Sequence, residues 1–382
     1  MSRRLVLVLA AAGAGQAAQY LARPMTSYRL LALGAGPREV GYVAAAFAVV
    51  PVFLAIPLGR FADRRRTETL LVAGSILLAA SCGALAFGAS VWALAAASVV
   101  LGLGHLALML GVQNAIAGES GEDQHDARFG IFTAVVSAGQ LVGPLLGGAV
   151  LSSVGALRPA TTVALLVASA LGAIGVMCAL RAARGRAPVS EPPPPVPHGT
   201  VRRMMRTRGV PAGIFASVAV LSCVDVFTAY LPVLGESTGI APGVVGALLA
   251  LRAAASIVSR LGITSIVRRV GRTRLIAGSA VVAALSVVGV TVTQDVAAIA
   301  ILTAVAGFTL GFGQPLTMTM VVLLVPEQAR ATALGLRLTG NRIGQAATPA
   351  AAGVFAGAAG VSSVFWLLGG ILVASAVAVA RA

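Results

Sequence analysis

Long apolar segments follow one another along the whole chain and are separated by short polar breaks. Each run is continuous rather than alternating, which favours membrane-spanning helices over the strands of a membrane barrel. Most runs reach the ~20 residues that a helix needs to cross the hydrocarbon core of a bilayer. The pattern predicts twelve transmembrane helices over residues 5–33, 39–58, 69–88, 91–116, 129–152, 159–181, 209–234, 241–262, 274–292, 296–324, 330–356 and 360–380.

The longest polar break divides the chain nearly in half. Residues 182–208 contain a run of four prolines and many Arg residues. A proline run cannot continue a helix and prefers the extended polyproline geometry. We therefore predict a cytoplasmic linker at 182–208 between a six-helix half at 1–181 and a second six-helix half at 209–382.

The composition agrees with a membrane protein and excludes a soluble domain. Hydrophobic residues make up 58% of the chain and charged residues only 10%, too few to cover the surface of a soluble protein of this size. The net charge of +16 raises the question of nucleic-acid binding. All 28 basic residues are Arg, however, and their positions follow the predicted membrane topology, so we expect no nucleic-acid partner.

The Arg residues between the helices lie almost entirely on one side of the membrane. If both termini are cytoplasmic, the outer segments hold only Arg38 and Arg158. Cytoplasmic segments carry an excess of Lys and Arg in multi-pass proteins. The asymmetry predicts a multi-pass protein with both termini in the cytoplasm, and we expect this protein in a bacterial inner membrane.

The sequence offers no chemistry of an enzyme. Cys82, Cys178 and Cys223 all lie inside apolar helices, where a free thiol behaves as a small core residue. No cluster of His, Cys and carboxylates has the spacing of a metal site, and no nucleotide-binding motif occurs. We expect neither a metal nor another cofactor.

Two motifs resemble those of a transporter family. The break after helix 2 reads GRFADRRR, in which Gly59, Ala62, Asp63 and Arg64 match the loop 2–3 signature of the major facilitator superfamily, while Arg66 replaces a Gly. The resemblance covers the whole chain and implies an all-α membrane protein of two pseudo-symmetric six-helix bundles. In that family the Asp and Arg of this loop form a cytoplasmic latch between helices. We also expect Asp63 at the start of helix 3, where a carboxylate complements exposed N–H groups.

The second motif is a series of glycines in helix 5. Glycines four residues apart leave one face of a helix without side chains, so that a neighbouring helix can approach closely, and a proline bends the helix. The series resembles the antiporter motif of the twelve-helix drug:proton antiporters, in which the bend is thought to limit leak and favour export. The matching residues are Gly130, Gly139, Gly143, Pro144, Gly147 and Gly148.

One element of those antiporters is missing. Many of them carry an Arg followed by Gln-Gly in helix 4, which is associated with proton transfer. The corresponding stretch here, Ser98 to Gly102, contains no Arg. Proton coupling by the usual helix-4 route is therefore not supported.

One carboxylate lies deep inside the predicted membrane region. Of the 12 acidic residues only Asp225 lies deep in a predicted helix, where an ion costs several kcal/mol and needs a role. Arg23 on helix 1 lies within roughly 5 Å of the same depth, and Arg342 on helix 11 is a rival partner. Burial favours a neutral carboxyl group and a nearby Arg favours the ionised one, so moving the Arg away would change proton binding. We predict a proton-coupling site of Asp225 and Arg23, with His105 as a second titrating candidate.

Simpler roles remain open for these side chains. Asp225 could form a fixed structural ion pair, and His105 could be an interior imidazole that is held by a hydrogen bond.

Other polar residues form stripes at helical spacing on several helices. Hydrogen bonding between helices explains any single one of them as well as a cavity does. Their recurrence on helices 1, 4, 7 and 10, which line the cavity in the resembling family, favours a substrate cavity. The candidates are Gln16, Gln19, Tyr20, Met109, Gln113, Thr228, Arg252, Gln314, Met318, Arg337, Asn341 and Arg342.

These features predict a monomeric secondary-active transporter that exports small, moderately hydrophobic organic molecules. Alternating access of the two halves and proton antiport would drive it, so the proton gradient takes the place of a cofactor. An importer or exchanger of an organic anion is the alternative, because buried Arg residues outnumber buried carboxylates. A non-transporting sensor or scaffold is a third reading, which the lack of a large soluble domain in this sequence disfavours.

Overall fold

The computed structural model describes residues 1–63, 67–119, 125–184, 204–326 and 329–382. Twelve long helices lie within these ranges, and no strand occurs in them. They are α1 Arg3–Ala32, α2 Pro37–Asp63, α3 Thr67–Phe87, α4 Val91–Glu119, α5 His125–Ser153, α6 Leu157–Ala183, α7 Val210–Thr238, α8 Pro242–Val270, α9 Arg272–Gly289, α10 Val296–Leu323, α11 Arg330–Ala359 and α12 Ser362–Ala380.

The predicted all-α fold of twelve helices is confirmed. Eleven of the described helices are long and apolar enough to cross a membrane. The exception is α11, which carries Arg337, Asn341 and Gln345 in its interior. Its 30 residues exceed the length of a membrane span, so only its polarity sets it apart.

The polar breaks predicted after helices 2 and 8 are shorter in the structure, because both helices continue farther than predicted. The break after helix 8 shrinks to Gly271, because α8 continues through Arg268 and Arg269 in its last turn. Basic side chains are favourable at the C-terminal end of a helix dipole. Likewise α2 runs to Asp63, which ends this helix rather than starting the next one at Thr67.

Parts of the predicted motifs and linker lie outside the described residues. These are Arg64 of the loop 2–3 motif and positions 185–203 of the linker. For Gly59 and Asp63 the structure describes the helical backbone alone.

The chain forms two compact units. The first consists of Met1–Pro193 with Ala241–Ala250, and the second of Pro194–Ile240 with Leu251–Ala382. In the first unit α1 is the central helix, packed against α4, α5 and α6 and buried almost continuously from Gly15 to Leu30. In the second unit α7 has the same role and packs against α10, α11 and α12.

A buried guanidinium fixes the C-terminal end of α1 to its neighbours. Arg29 is 5% exposed and donates hydrogen bonds to the carbonyl oxygen of Gly88 at 3.2 Å, to the carbonyl oxygen of Arg158 at 3.1 Å and to Thr162 Oγ1 at 2.8 Å. Gly88 follows the end of α3, and Arg158 and Thr162 lie in the first turns of α6. One side chain therefore binds α1 to the ends of two neighbouring helices.

The glycine series of α5 packs on α1. A methyl group at Gly143 would come 2.6 Å from the carbonyl oxygen of Ala17 and 2.8 Å from the backbone nitrogen of Leu21. At Gly139 it would come 2.9 Å from the nitrogen of Ala17, and at Gly147 3.1 Å from the Cε of Met25. These three glycines thus form the face along which α5 and α1 touch.

The other two glycines of the motif lie elsewhere. Gly148 faces the first turns of α8, where a methyl group would come 3.1 Å from the carbonyl oxygen of Gly243 and from the Cα of Gly246. Gly130 faces open space, with nothing within 4 Å of such a methyl group. Close packing therefore explains Gly139, Gly143, Gly147 and Gly148, but not Gly130.

We expect Arg29→Met to lower the free energy of unfolding by about 2–3 kcal/mol, because it leaves buried carbonyl groups without a charged donor. Arg158→Met is the matched control, since its side chain is exposed and its carbonyl oxygen remains. Thermal unfolding of the two purified variants in detergent measures the difference. Equal stability of both variants would contradict the structural role of Arg29.

We expect Gly143→Ala to destabilise the protein by about 1–3 kcal/mol, because the added methyl group forces two helix backbones apart. Gly130→Ala, in the same helix, should instead be neutral or stabilise by up to ~1 kcal/mol through helix propensity. Thermal unfolding again gives the comparison. The packing interpretation fails if both substitutions stabilise.

Candidate functional site

The deep carboxylate of α7 belongs to a chain of polar side chains with α11. Asp225 is 2% exposed, and its Oδ2 accepts a hydrogen bond of 2.6 Å from Gln345 Nε2. Gln345 Oε1 in turn accepts a hydrogen bond of 3.1 Å from Arg342 Nη1. The amide therefore connects the predicted rival partner, Arg342, with the carboxylate.

The hydrogen bonds from Arg342 through Gln345 to Asp225 all run in one direction, from donor to acceptor. Because Arg342 can only donate, it orients the carbonyl oxygen of the Gln345 amide towards itself. The opposite end of the amide then presents its N–H groups to Asp225. An ionised carboxylate accepts such a bond better than a neutral carboxyl group does. The carboxylate of α7 and the amide of α11 thus form one directed contact between the two helices.

A second polar cluster joins α7, α10 and α11. Arg337 Nη2 donates to Gln314 Oε1 at 2.6 Å and to the carbonyl oxygen of Gln314 at 3.0 Å. Gln314 Nε2 donates to the carbonyl oxygen of Ser217 at 3.0 Å. Ser217 Oγ donates to Asn341 Oδ1 at 2.9 Å. Three of these residues were predicted for the cavity, and the cluster brings them together.

Glycines allow α7 and α11 to approach each other between these two clusters. A methyl group at Gly344 would come 2.8 Å from Ser222 Oγ and would collide with Val218. At Gly340 it would come 3.1 Å from a methyl group of Ile214. The close approach brings short side chains such as Ser217 and Asp225 within reach of α11.

In the first unit the polar residues of α1 meet α2 and α4. His105 Nε2 lies 3.2 Å from Gln16 Oε1, within hydrogen-bond distance. The ring of Phe47 lies 6.0 Å from that of His105. The guanidinium carbon of Arg23 lies 4.9 Å from the centre of the Phe47 ring, a cation–π geometry.

The two predicted members of the proton-coupling pair lie in different units. Arg23 belongs to the first unit and Asp225 to the second. Their pairing stays a prediction.

The remaining cavity candidates differ in burial. Gln19, Tyr20, Met109, Thr228 and Arg252 are buried. The hydroxyl of Thr228 donates to the carbonyl oxygen of Val224 in its own helix.

Two cavity candidates are exposed. They are Gln113 and Met318. The assignment of the whole set to a cavity remains a prediction.

Sequence reasoning missed several residues of these clusters. Phe47 carries no polar signal, and Ser217 is one of many small residues of α7. Gln345 shares the polar stripe of α11 with Arg337 and Asn341 by its spacing, but it was not among the predicted cavity residues. Arg29 lies inside predicted helix 1, but the sequence alone gives it no role.

The chain resembles known transporters in sequence and fold. The family model described as Major Facilitator Superfamily matches residues 5–239 and 213–382. No curated protein matches the sequence. Identities to solved structures are too low to indicate more than a shared fold.

Three solved structures illustrate that fold. A variant of the nucleoside transporter NupG superposes with a TM-score of 0.80 at 16% identity, covering 99% of this chain and 99% of its own. A POT family transporter in complex with a thioalcohol-conjugated peptide superposes with a TM-score of 0.78 at 14% identity, and the match covers 98% of this chain and 95% of that transporter. A bacterial homologue of the human lysosomal transporter Spinster superposes with a TM-score of 0.73 at 16% identity, and the match covers 100% of this chain and 96% of that homologue. The chain therefore belongs to the Major Facilitator Superfamily, with the fold of a multi-pass membrane transporter.

Proposed function

We propose that this protein is a secondary-active exporter of small, moderately hydrophobic organic molecules, driven by proton antiport. It works by alternating access of its two six-helix halves. It is a monomer in a bacterial inner membrane, with both termini in the cytoplasm. It uses the proton gradient and no cofactor.

The contact of Asp225 with Gln345 is the observation that carries the proton coupling. Within the described residues, Asp225 is the one buried carboxylate. A proton on it changes the hydrogen bond to Gln345, and with it the contact between α7 and α11. Uptake of a proton on one side and release on the other would therefore be linked to the arrangement of these two helices.

The glycine series of α5 supports export. Its close contact with α1 and with the first turns of α8 is the packing that small residues at this spacing provide. The series resembles the motif of drug:proton antiporters, which move their substrates outward. The fold itself is shared with transporters of several substrate classes and does not set the direction.

Exchange or uptake of an organic anion is the second candidate. Four Arg side chains are buried in the described residues, against the single carboxylate of Asp225. They are Arg23, Arg29, Arg252 and Arg337. Arg29 uses both Nε and Nη1 to bind the ends of α3 and α6, whereas the others lie farther from the ends of their helices and could receive a negatively charged molecule.

We expect Asp225→Asn to abolish transport driven by a pH gradient while it preserves exchange of substrate across the membrane, because asparagine cannot carry the proton. The measurement uses proteoliposomes and a panel of neutral, anionic and cationic fluorescent dyes. The matched control is Glu236→Gln, which removes an exposed carboxylate near the end of the same helix. Full gradient-driven transport by the Asp225→Asn variant would refute the assignment.

We expect expression of the protein in a pump-deficient strain to lower the cellular accumulation of at least one dye from that panel. Collapse of the pH gradient with an ionophore should restore the accumulation. An increase in accumulation, confined to anionic dyes, would support the second candidate instead. The Asp225→Asn variant serves as the reference that lacks gradient-driven export.

A further inference from the structure

We propose that Arg337 and Asn341 of α11 form a binding site for the anionic group, a carboxylate or a phosphate, of the transported molecule. The proposal rests on the transport function proposed above and adds a substrate class to it. It concerns the cluster of Ser217, Gln314, Arg337 and Asn341.

The cluster contains a buried positive charge without a counter-charge. Arg337 is 5% exposed and lies seven residues into α11, about 10 Å along the helix from its first residue. Its hydrogen bonds to described residues go to two neutral oxygens of Gln314, and it forms no ion pair with a described residue. A buried guanidinium without a negative partner is costly, and a bound anion would offset that cost.

Within the cluster both side-chain amide oxygens already accept a hydrogen bond, whereas several N–H groups have no acceptor in the described part of the chain. Gln314 Oε1 accepts from Arg337, and Asn341 Oδ1 accepts from Ser217. Arg337 Nε is buried and has no partner among the described residues. The two N–H groups of Asn341 Nδ2 donate to no described residue either. A ligand that completes this cluster must therefore supply acceptor oxygens.

The two side chains with spare donors lie on one face of α11. Residues four apart are neighbours on a helix surface, so Arg337 and Asn341 can bind the same group. The planar fork of an Arg side chain matches the two oxygens of a carboxylate or phosphate, and an amide N–H can add a third contact. A neutral amide of the same shape would offer only one acceptor and no charge.

The same face of α11 leads to the proposed proton site. Gln345, four residues beyond Asn341, donates to Asp225. The anion site and the carboxylate thus lie on one pair of helices, about 12 Å apart along α11. Binding of an anion at Arg337 and a proton at Asp225 would act on the contact between the same two helices.

Thermal stabilisation of the purified protein by benzoate tests the site, with benzamide as a neutral molecule of the same shape. We expect benzoate to raise the apparent melting temperature and benzamide to leave it unchanged. Arg337→Gln should weaken the effect of benzoate by about 10- to 100-fold in concentration, because it removes the charge-assisted hydrogen bonds. Arg337→Lys should keep part of the effect. Arg330→Gln, which removes an exposed charge at the start of the same helix, should keep all of it.

Two further arms identify the ligand chemistry. Inorganic phosphate in place of benzoate separates a phosphate preference from a carboxylate preference, and either result supports the site. Chloride that stabilises the protein as much as benzoate does would overturn the substrate assignment, because the cluster would then hold an inorganic ion. Equal effects of benzoate and benzamide, or an undiminished benzoate effect in Arg337→Gln, would also overturn it.

The outcome is independent of the proposed direction and coupling. An anion-dependent shift with no gradient-driven dye transport would leave the site intact and refute proton antiport. Gradient-driven transport without any anion-dependent shift would refute the site and leave the exporter intact.

Discussion

A polar group inside a bilayer has no water to bind, so it must find its partner within the protein. Both units are organised around this constraint. Their central helices, α1 and α7, carry polar side chains whose partners lie on surrounding helices: Arg29 binds the ends of α3 and α6, and Asp225 contacts Gln345 of α11. Apolar contacts would permit several neighbours for each central helix, whereas these bonds specify particular ones.

Short polar side chains can meet only where the helix backbones come close together, and glycines provide this approach in both units. In the first unit a methyl group at Gly102 of α4 would collide with the backbone of α2 at Phe47. In the second unit a methyl group at Gly307 of α10 would likewise collide with the backbone of α8 at Arg252. The second and fourth helices of each half thus share one backbone contact. The side chain at that contact differs, an aromatic ring in one half and a guanidinium in the other.

The helices could be predicted from the sequence because apolar runs of membrane length are a strong local signal. The ends of α2 and α8 could not, since basic residues read as a polar break although they continue the helix to Asp63 and Val270. Asp225 stood out because an acidic residue is costly in a membrane helix.

The partner of Asp225 depends on how far α7 and α11 are rotated against each other. Spacing within one helix does not contain that angle. Gln345 and Ser217 acquire their roles only when the two helices are placed side by side, as Gly340 and Gly344 allow.

The polarity of α11 has a consequence for how the protein enters the membrane. An Arg at the centre of a helix adds about 2.5–3.5 kcal/mol to the free energy of insertion, and α11 carries Arg337 and Arg342 in its interior. The helices that shield these groups, α7 and α10, precede it in the chain and are synthesised first. Insertion of α11 therefore costs less free energy once α7 and α10 are in the membrane and can bind its polar side chains.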